Sequence, residues 1–255
     1  HSMLCQLLSG IAALHKDPNN LVHRDLKPAN LLVHDDSLLI ADFGSVRKVA
    51  PDTGVAPASK HSMLYRPPET FGDKAYYDDS SDLYQAGLIG YLLFGGKISE
   101  NLLDHLNSKE QTKLKTIEAT SDQVAVSMYL DSCLENKIQR DRIADFSSLP
   151  CFVPRNIKKI LRKAISNKNR YTTTCKFLAD LNNVRANLPE WIDNGESLEL
   201  RNWKGKDYLL CFNGSHFFAK KRRSGGKNYQ KDNSISKSAT IEQAYTLLKG
   251  KIGLK

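Results

Sequence analysis

Four side chains between positions 25 and 42 could do chemistry together: the carboxylate of Asp25, the ammonium of Lys27, the amide of Asn30 and the carboxylate of Asp42. Moving a phosphoryl group from a nucleotide asks three things of a protein. It must hold metal ions on the phosphates, orient the attacking hydroxyl, and set positive charge against the transferring group. Asp25 suits the second task and Lys27, two positions on, suits the third. Asn30 and Asp42 offer the hard oxygen ligands that Mg²⁺ prefers. Phe43 gives the turn after Asp42 an apolar anchor, and Gly44 permits a sharp backbone change there.

The elements that must position these groups are legible around them. Residues 3–15 repeat apolar positions (Leu4, Leu7, Leu8, Ile11, Leu14) at helical spacing, and Asp17-Pro18-Asn19-Asn20 ends that helix. Short β-like runs at 31–33 and 38–41 flank a His34-Asp35-Asp36 turn. Residues 44–65 read as a long loop, which in a compact domain is functional or disordered. Residues 82–94 are apolar nearly all round, as in a buried helix. Residues 99–147 are rich in helix formers, and 155–165 and 174–187 read as two further helices.

The string His23-Arg24-Asp25-Leu26-Lys27-Pro28-Ala29-Asn30 followed by Asp42-Phe43-Gly44 resembles the protein kinase family, and Lys27 is what its serine/threonine branch carries. Tyr65-Arg66-Pro67-Pro68-Glu69 is similar to the family's Ala-Pro-Glu segment, and Asp82-Leu83-Tyr84-Gln85-Ala86-Gly87 to the start of its buried central helix. The resemblance covers roughly residues 1–187. It implies ATP and Mg²⁺ as cofactors and a protein substrate with a Ser/Thr acceptor. Asp25 would be the catalytic base and Lys27 the phosphate-contacting lysine. Asn30 and Asp42 would ligate Mg²⁺, and Leu32 would form the lower face of the adenine pocket. His23 would pack against Phe43, and Asp82 would hydrogen-bond the catalytic-loop backbone. Ser62 would abut that loop, and Glu69 would pair with Arg170. Arg24 would hold a phosphate on the activation loop, with Thr53 and Ser59 as candidate phosphosites.

The family's Gly-rich loop, its strand lysine and the partner glutamate helix do not occur in the sequence. The resemblance places those parts ahead of His1, in an N-terminal lobe of a parent chain. The expectation is a truncated kinase with little activity by itself, whose bared apolar surface favours aggregation. A pseudokinase-like scaffold acting through its tail is the alternative.

The bulk numbers fit this picture. The chain has 255 residues, 40% of them hydrophobic and 25% charged, which suits a soluble globular protein with one large and one small domain. The longest apolar stretch is too short to span a bilayer, and no signal peptide is evident, so no membrane partner is expected. Five scattered cysteines without a C-x-x-C pair suit reduced thiols and a cytoplasmic location.

The net charge of +9 is concentrated at one end, since residues 194–255 hold thirteen Lys/Arg against five Asp/Glu. Asn213-Gly214 between apolar runs predicts a tight hairpin, and Thr240 with Gln243 a capping box opening a helix that Gly250 ends. The expected fold is therefore mainly α, a kinase-like C-terminal lobe over 1–190. A linker at 191–200 leads to a small basic α+β module, hairpin plus helix, at 201–255. Lys220-Lys221-Arg222-Arg223 and Lys227, interleaved with aromatics, suggest a nucleic acid or an acidic partner there. The hairpin and helix loosely resemble small three-strand-plus-helix DNA-binding domains of integrase type.

Overall fold

The computed structural model describes residues 1–58 and 62–254. It divides into two compact units, His1–Pro150 with Arg155–Asn183, and Cys151–Pro154 with Val184–Lys255.

In the first unit, helix α1 (Ser2–His15) buries Leu4, Leu7, Leu8 and Ile11 completely, the face that the 3.6-residue period selects. Strand β1 (Leu21–Val22) follows. The strands β2 (Leu31–His34) and β3 (Ser37–Ile40) form a hairpin whose two turn residues, Asp35 and Asp36, both have positive φ. That is the backbone a two-residue turn of the I′ type demands. Strand β4 (Arg47–Lys48) pairs with β1, and β5 (Ala56–Pro57) pairs with β6 (Tyr76–Tyr77). The described part of the segment read as a loop thus carries two short strands, each tied to a distant partner.

Helix α2 (Asp79–Leu93) is the pillar of this unit, buried without a break from Ser81 to Tyr91. It begins a turn earlier than its apolar run because Asp78 and Ser81 close a reciprocal capping box. Two glycines let its neighbours close in. A Cβ on Gly87 would stand 2.7 Å from the Ala164 side chain, and one on Gly90 would stand 2.9 Å from both Leu161 and Leu4. Helices α1 and α5 (Arg155–Ala164) therefore pack directly on the α2 backbone. Between α2 and α5 lie α3 (Ser108–Thr120) and α4 (Gln123–Gln139), and α6 (Thr174–Arg185) follows.

The second unit departs from the expected hairpin plus helix. Five strands, β7 (Glu190–Asp193), β8 (Ser197–Trp203), β9 (Lys206–Phe212), β10 (Phe217–Arg223) and β11 (Gln230–Lys231), form an antiparallel sheet in sequential order. The residues expected as a linker belong to it. Asp193-Asn194-Gly195 is a hairpin turn, with Asn194 N–H donating to the Ser197 carbonyl at 3.0 Å and Gly195 at φ 79°. Helix α7 (Ile241–Ile252) covers one face, burying Leu198, Leu200, Leu210 and Ala219 with its Ala244, Tyr245 and Leu248. Thr240 caps it as expected, but the helix runs through Gly250 and ends at Gly253, which takes the left-handed C-cap conformation. Among the described residues no helix is long and apolar enough to cross a membrane.

Candidate active site

The site is built outward from a buried carboxylate. Asp82 in α2 is fully buried, and both of its oxygens are engaged twice. Oδ2 accepts from the His23 N–H at 2.8 Å and bonds His15 Nε2 at 2.9 Å. Oδ1 accepts from the Arg24 N–H and the Tyr77 hydroxyl, each at 3.0 Å. Three residues further along the helix, Gln85 accepts from the Leu26 N–H at 2.8 Å and donates to the Tyr65 carbonyl at 3.1 Å. The backbone of 23–26 is thereby pinned to α2. Arg24 sits at φ 73°, a left-handed conformation that a side chain of its kind adopts only when the surroundings overdetermine it. Asp82 supplies that determination.

This pinned backbone aims Asp25, which is 4% exposed. Its Oδ2 accepts from Lys27 Nζ at 2.9 Å and from Asn30 Nδ2 at 3.1 Å. Asn30 Nδ2 also donates to the Asp25 carbonyl at 2.7 Å, so the turn Pro28–Asn30 folds back on the aspartate. Among the described residues, Asp25 Oδ1 and Asn30 Oδ1 take no hydrogen bond. One oxygen of each side chain is left for something else.

Asp42 is positioned through the hairpin. The Ala41 N–H donates to the Asn30 carbonyl at 2.9 Å, extending the β2–β3 pairing by one step and setting Asp42 just beyond it. Asp42 is exposed, has φ 58°, and caps the turn Phe43–Ser45 by accepting from the Gly44 N–H at 3.3 Å. The backbone strain expected at Gly44 therefore falls on Asp42. Glycine at 44 answers a different need, since a Cβ there would stand 3.2 Å from the Asp42 carboxylate. His23 is fully buried, bonds the Ala41 carbonyl through Nε2 at 3.1 Å, and lies 5.7 Å from the Phe43 ring.

Leu32 lies on β2 at 57% exposure, with Val33, Leu39 and Phe43 also more than half exposed. Arg24 donates to the carbonyls of Ser45 and Ala58, each at 3.1 Å. Thr53 is exposed in a turn closed by the Gly54 N–H on the Ala50 carbonyl at 2.8 Å, while Ser59 lies outside the described residues. Ser62 opens the turn Met63–Tyr65 without a side-chain cap. Arg170 meets Glu69 at 2.7 Å, both nearly buried, and Glu69 also accepts a short bond from the Ser81 hydroxyl.

His15 and Tyr77 are site residues outside the motifs, and Gln85 lies inside one with no role assigned to it. A polar residue inside an otherwise apolar helix is the signal that points to Gln85. Burial pulls the His15 imidazole down, but its hydrogen bond to Asp82 and the charges of Asp82, Asp79 and Asp78 together raise it above its ordinary value. A group raised in the folded state stabilises most below its unfolded pKa, and that contribution fades as pH climbs through the folded value. The stability lost in His15→Gln should therefore be largest near pH 5.5 and shrink toward pH 8.5 in urea titrations. A difference that grows with pH would contradict this.

Could the site take a divalent cation? Among the described residues no group of three or more His, Cys, Asp and Glu converges. The donors present, an amide oxygen and an exposed carboxylate, fit a hard ion that completes its shell with substrate phosphates and water, as Mg²⁺ does.

A carboxylate braced by a lysine and an asparagine and hung on a buried aspartate is the arrangement at the centre of this unit. The protein kinase domain family model matches residues 1–178, and the chain belongs to that family. It is 43% identical over 110 residues to cyclin-dependent kinase 20 of Rattus norvegicus, a match covering 41% of this chain and 31% of the relative. It is 42% identical over 101 residues to serine/threonine-protein kinase ATG1b of Arabidopsis thaliana, covering 38% and 14%. It is 34% identical over 134 residues to a probable cell division protein kinase of Encephalitozoon cuniculi, covering 49% of each. The matches thus span a third of the first relative's length, less of the second and about half of the third.

Proposed function

We propose that the protein transfers the γ-phosphoryl group of ATP to serine or threonine hydroxyls of protein substrates, with Mg²⁺. The observation that carries this reading is the asymmetry at Asp25. One of its oxygens is occupied by Lys27 and Asn30, and the other is open.

In this reading Asp25 Oδ1 accepts the hydrogen of the incoming hydroxyl and turns its oxygen lone pair toward phosphorus. Lys27 Nζ stays within reach of the transferring oxygens while its bond to Oδ2 fixes the carboxylate rotamer. Asn30 Oδ1 and the Asp42 carboxylate would hold Mg²⁺, which when bound offsets charge on the phosphates. His23 and the Ala41–Asn30 bond keep the two halves of this ligand pair in register. Lysine at position 27 and the serine/threonine kinases among the relatives support the choice of acceptor.

Label transfer from γ-³²P-ATP by the full-length protein, with and without EDTA, tests the reading. Phosphoserine or phosphothreonine formed only with Mg²⁺ is the expected product. Phosphotyrosine alone, or no transfer to any protein acceptor, would overturn it.

A further inference from the structure

The sheet of the second unit sorts its charges into two classes. Its buried carboxylates are all matched. Glu199 has Arg201 at 3.2 Å, Arg222 at 3.3 Å and the Tyr229 hydroxyl at 2.7 Å. Asp207 has Arg222 at 2.8 Å, and Asp232 has Lys221 at 3.0 Å. So Lys221 and Arg222, central to the basic run in the sequence, are engaged in holding the fold. A second set is not. Lys206, Lys220, Arg223, Lys227 and Lys231 form no ion pair among the described residues, and all but Lys220 are exposed.

The register then places like charges opposite one another. Lys220 faces Lys231 across β10 and β11, and Arg223 faces Lys206 across β10 and β9. Directly opposed like charges weaken a sheet, and among the described residues no carboxylate forms an ion pair with any of the four. The Ser224 N–H donates to the Gly205 carbonyl at 3.0 Å, which joins two turns and brings Lys206, Arg223 and Lys227 to the same end of the sheet. Alternation along β10 sets Phe218 beside Lys220 on the face that α7 leaves open, with the ammonium 5.5 Å from the ring centroid.

We infer that this surface binds single-stranded nucleic acid. A polyphosphate strand crossing the open face meets the Lys220/Lys231 pair beside Phe218 and then wraps the end of the sheet, where Lys227 lies in the turn and where Arg223 and Lys206, set by alternation on the opposite face, edge the joined turns. Phe218 offers a face for a base to stack on. Cations that follow the backbone, with an aromatic platform among them, suit a flexible strand of bases better than a lipid surface or an acidic peptide, which have no bases to stack. The surface is independent of the phosphoryl-transfer site and of the reading given for it.

The test is fluorescence anisotropy of labelled 20-mer U and dT oligonucleotides with the 255-residue chain between 50 and 200 mM salt. Four to five phosphate contacts predict a slope of log K against log salt of about −3. Lys206→Ala with Lys220→Ala, Arg223→Ala and Lys231→Ala should lower affinity at least tenfold at 50 mM and flatten the slope. Its melting temperature should hold or rise, because the opposed charges are gone. Should that variant unfold instead, the single exposed substitution Lys231→Glu carries the test, with an expected loss of about fivefold for one charge reversed. Phe218→Ala should weaken binding without changing the slope. No binding, a flat salt dependence in the native chain, retention by the neutralised variants, or equal affinity for phosphatidylserine vesicles or polyglutamate would each overturn the assignment.

Discussion

Asp25→Asn should cut phosphoryl transfer by roughly 10²–10⁴-fold, the range that a positioned general base contributes, while leaving the fold intact. The substitution is nearly isosteric, and the site says how it fails. The new amide oxygen can take the place of Oδ2, accepting from Lys27 and Asn30 as the carboxylate does. That forces the amide NH₂ toward the open side, where the hydroxyl must deposit its proton. A donor then faces a donor. The Michaelis constant for ATP should barely move, because no phosphate contact is lost, so the effect falls on kcat. Initial rates of label transfer at saturating ATP measure it. Activity within threefold of the native protein would mean that Asp25 is not the group that receives the hydroxyl.

The second large effect is expected at Asp82, well away from any substrate. Asp82→Ala removes four partners at once, from His23, Arg24, Tyr77 and His15. Two of these are backbone N–H groups that bond no other acceptor among the described residues, and an unsatisfied buried donor costs about 1–3 kcal/mol. The expected loss is about 3–5 kcal/mol, comparable with breaking a buried charged pair by removing one member. Against a typical total of about 5–15 kcal/mol, that leaves the unit marginal. Urea denaturation measures it. Arg24, no longer held at positive φ, should relax toward an ordinary conformation and take Asp25 with it, so activity should fall as well. A loss below about 1 kcal/mol would show that the loop is anchored by other means.

Much of this site was readable before any coordinates. The helix of 3–15, the apolar run of α2 and the turn at Asp35-Asp36 follow from local periodicity and residue type, and the motif residues from His23 to Gly44 stand out by their resemblance to the kinase family. What escaped depended on groups far apart in the chain. Gln85 reads as one polar residue in a buried helix until Leu26 and Tyr65 come to it. Gly44 reads as a hinge until the Asp42 carboxylate occupies the space its Cβ would need. The segment after Leu188-Pro189 reads as a linker because Asp193-Asn194-Gly195 signals a turn equally well between two domains or between two strands. Only pairing of Trp191 with Leu200 and Ile192 with Glu199 distinguishes them. Gly250 and Gly253 both offer a helix end by residue type, and the packing of Ile252 in the core of the second unit carries the helix to the later one.

The grip of Arg24 on two carbonyls has one more implication. Its guanidinium already spends donors on Ser45 and Ala58, which lie on opposite limbs of the same segment, while its Nε is buried with no partner among the described residues. An anion arriving at this arginine does not fill a vacant clasp. It competes with main-chain oxygens, and each donor it wins unfastens one limb from the other. Order at that segment is thus a matter of exchange between rival acceptors rather than of simple addition.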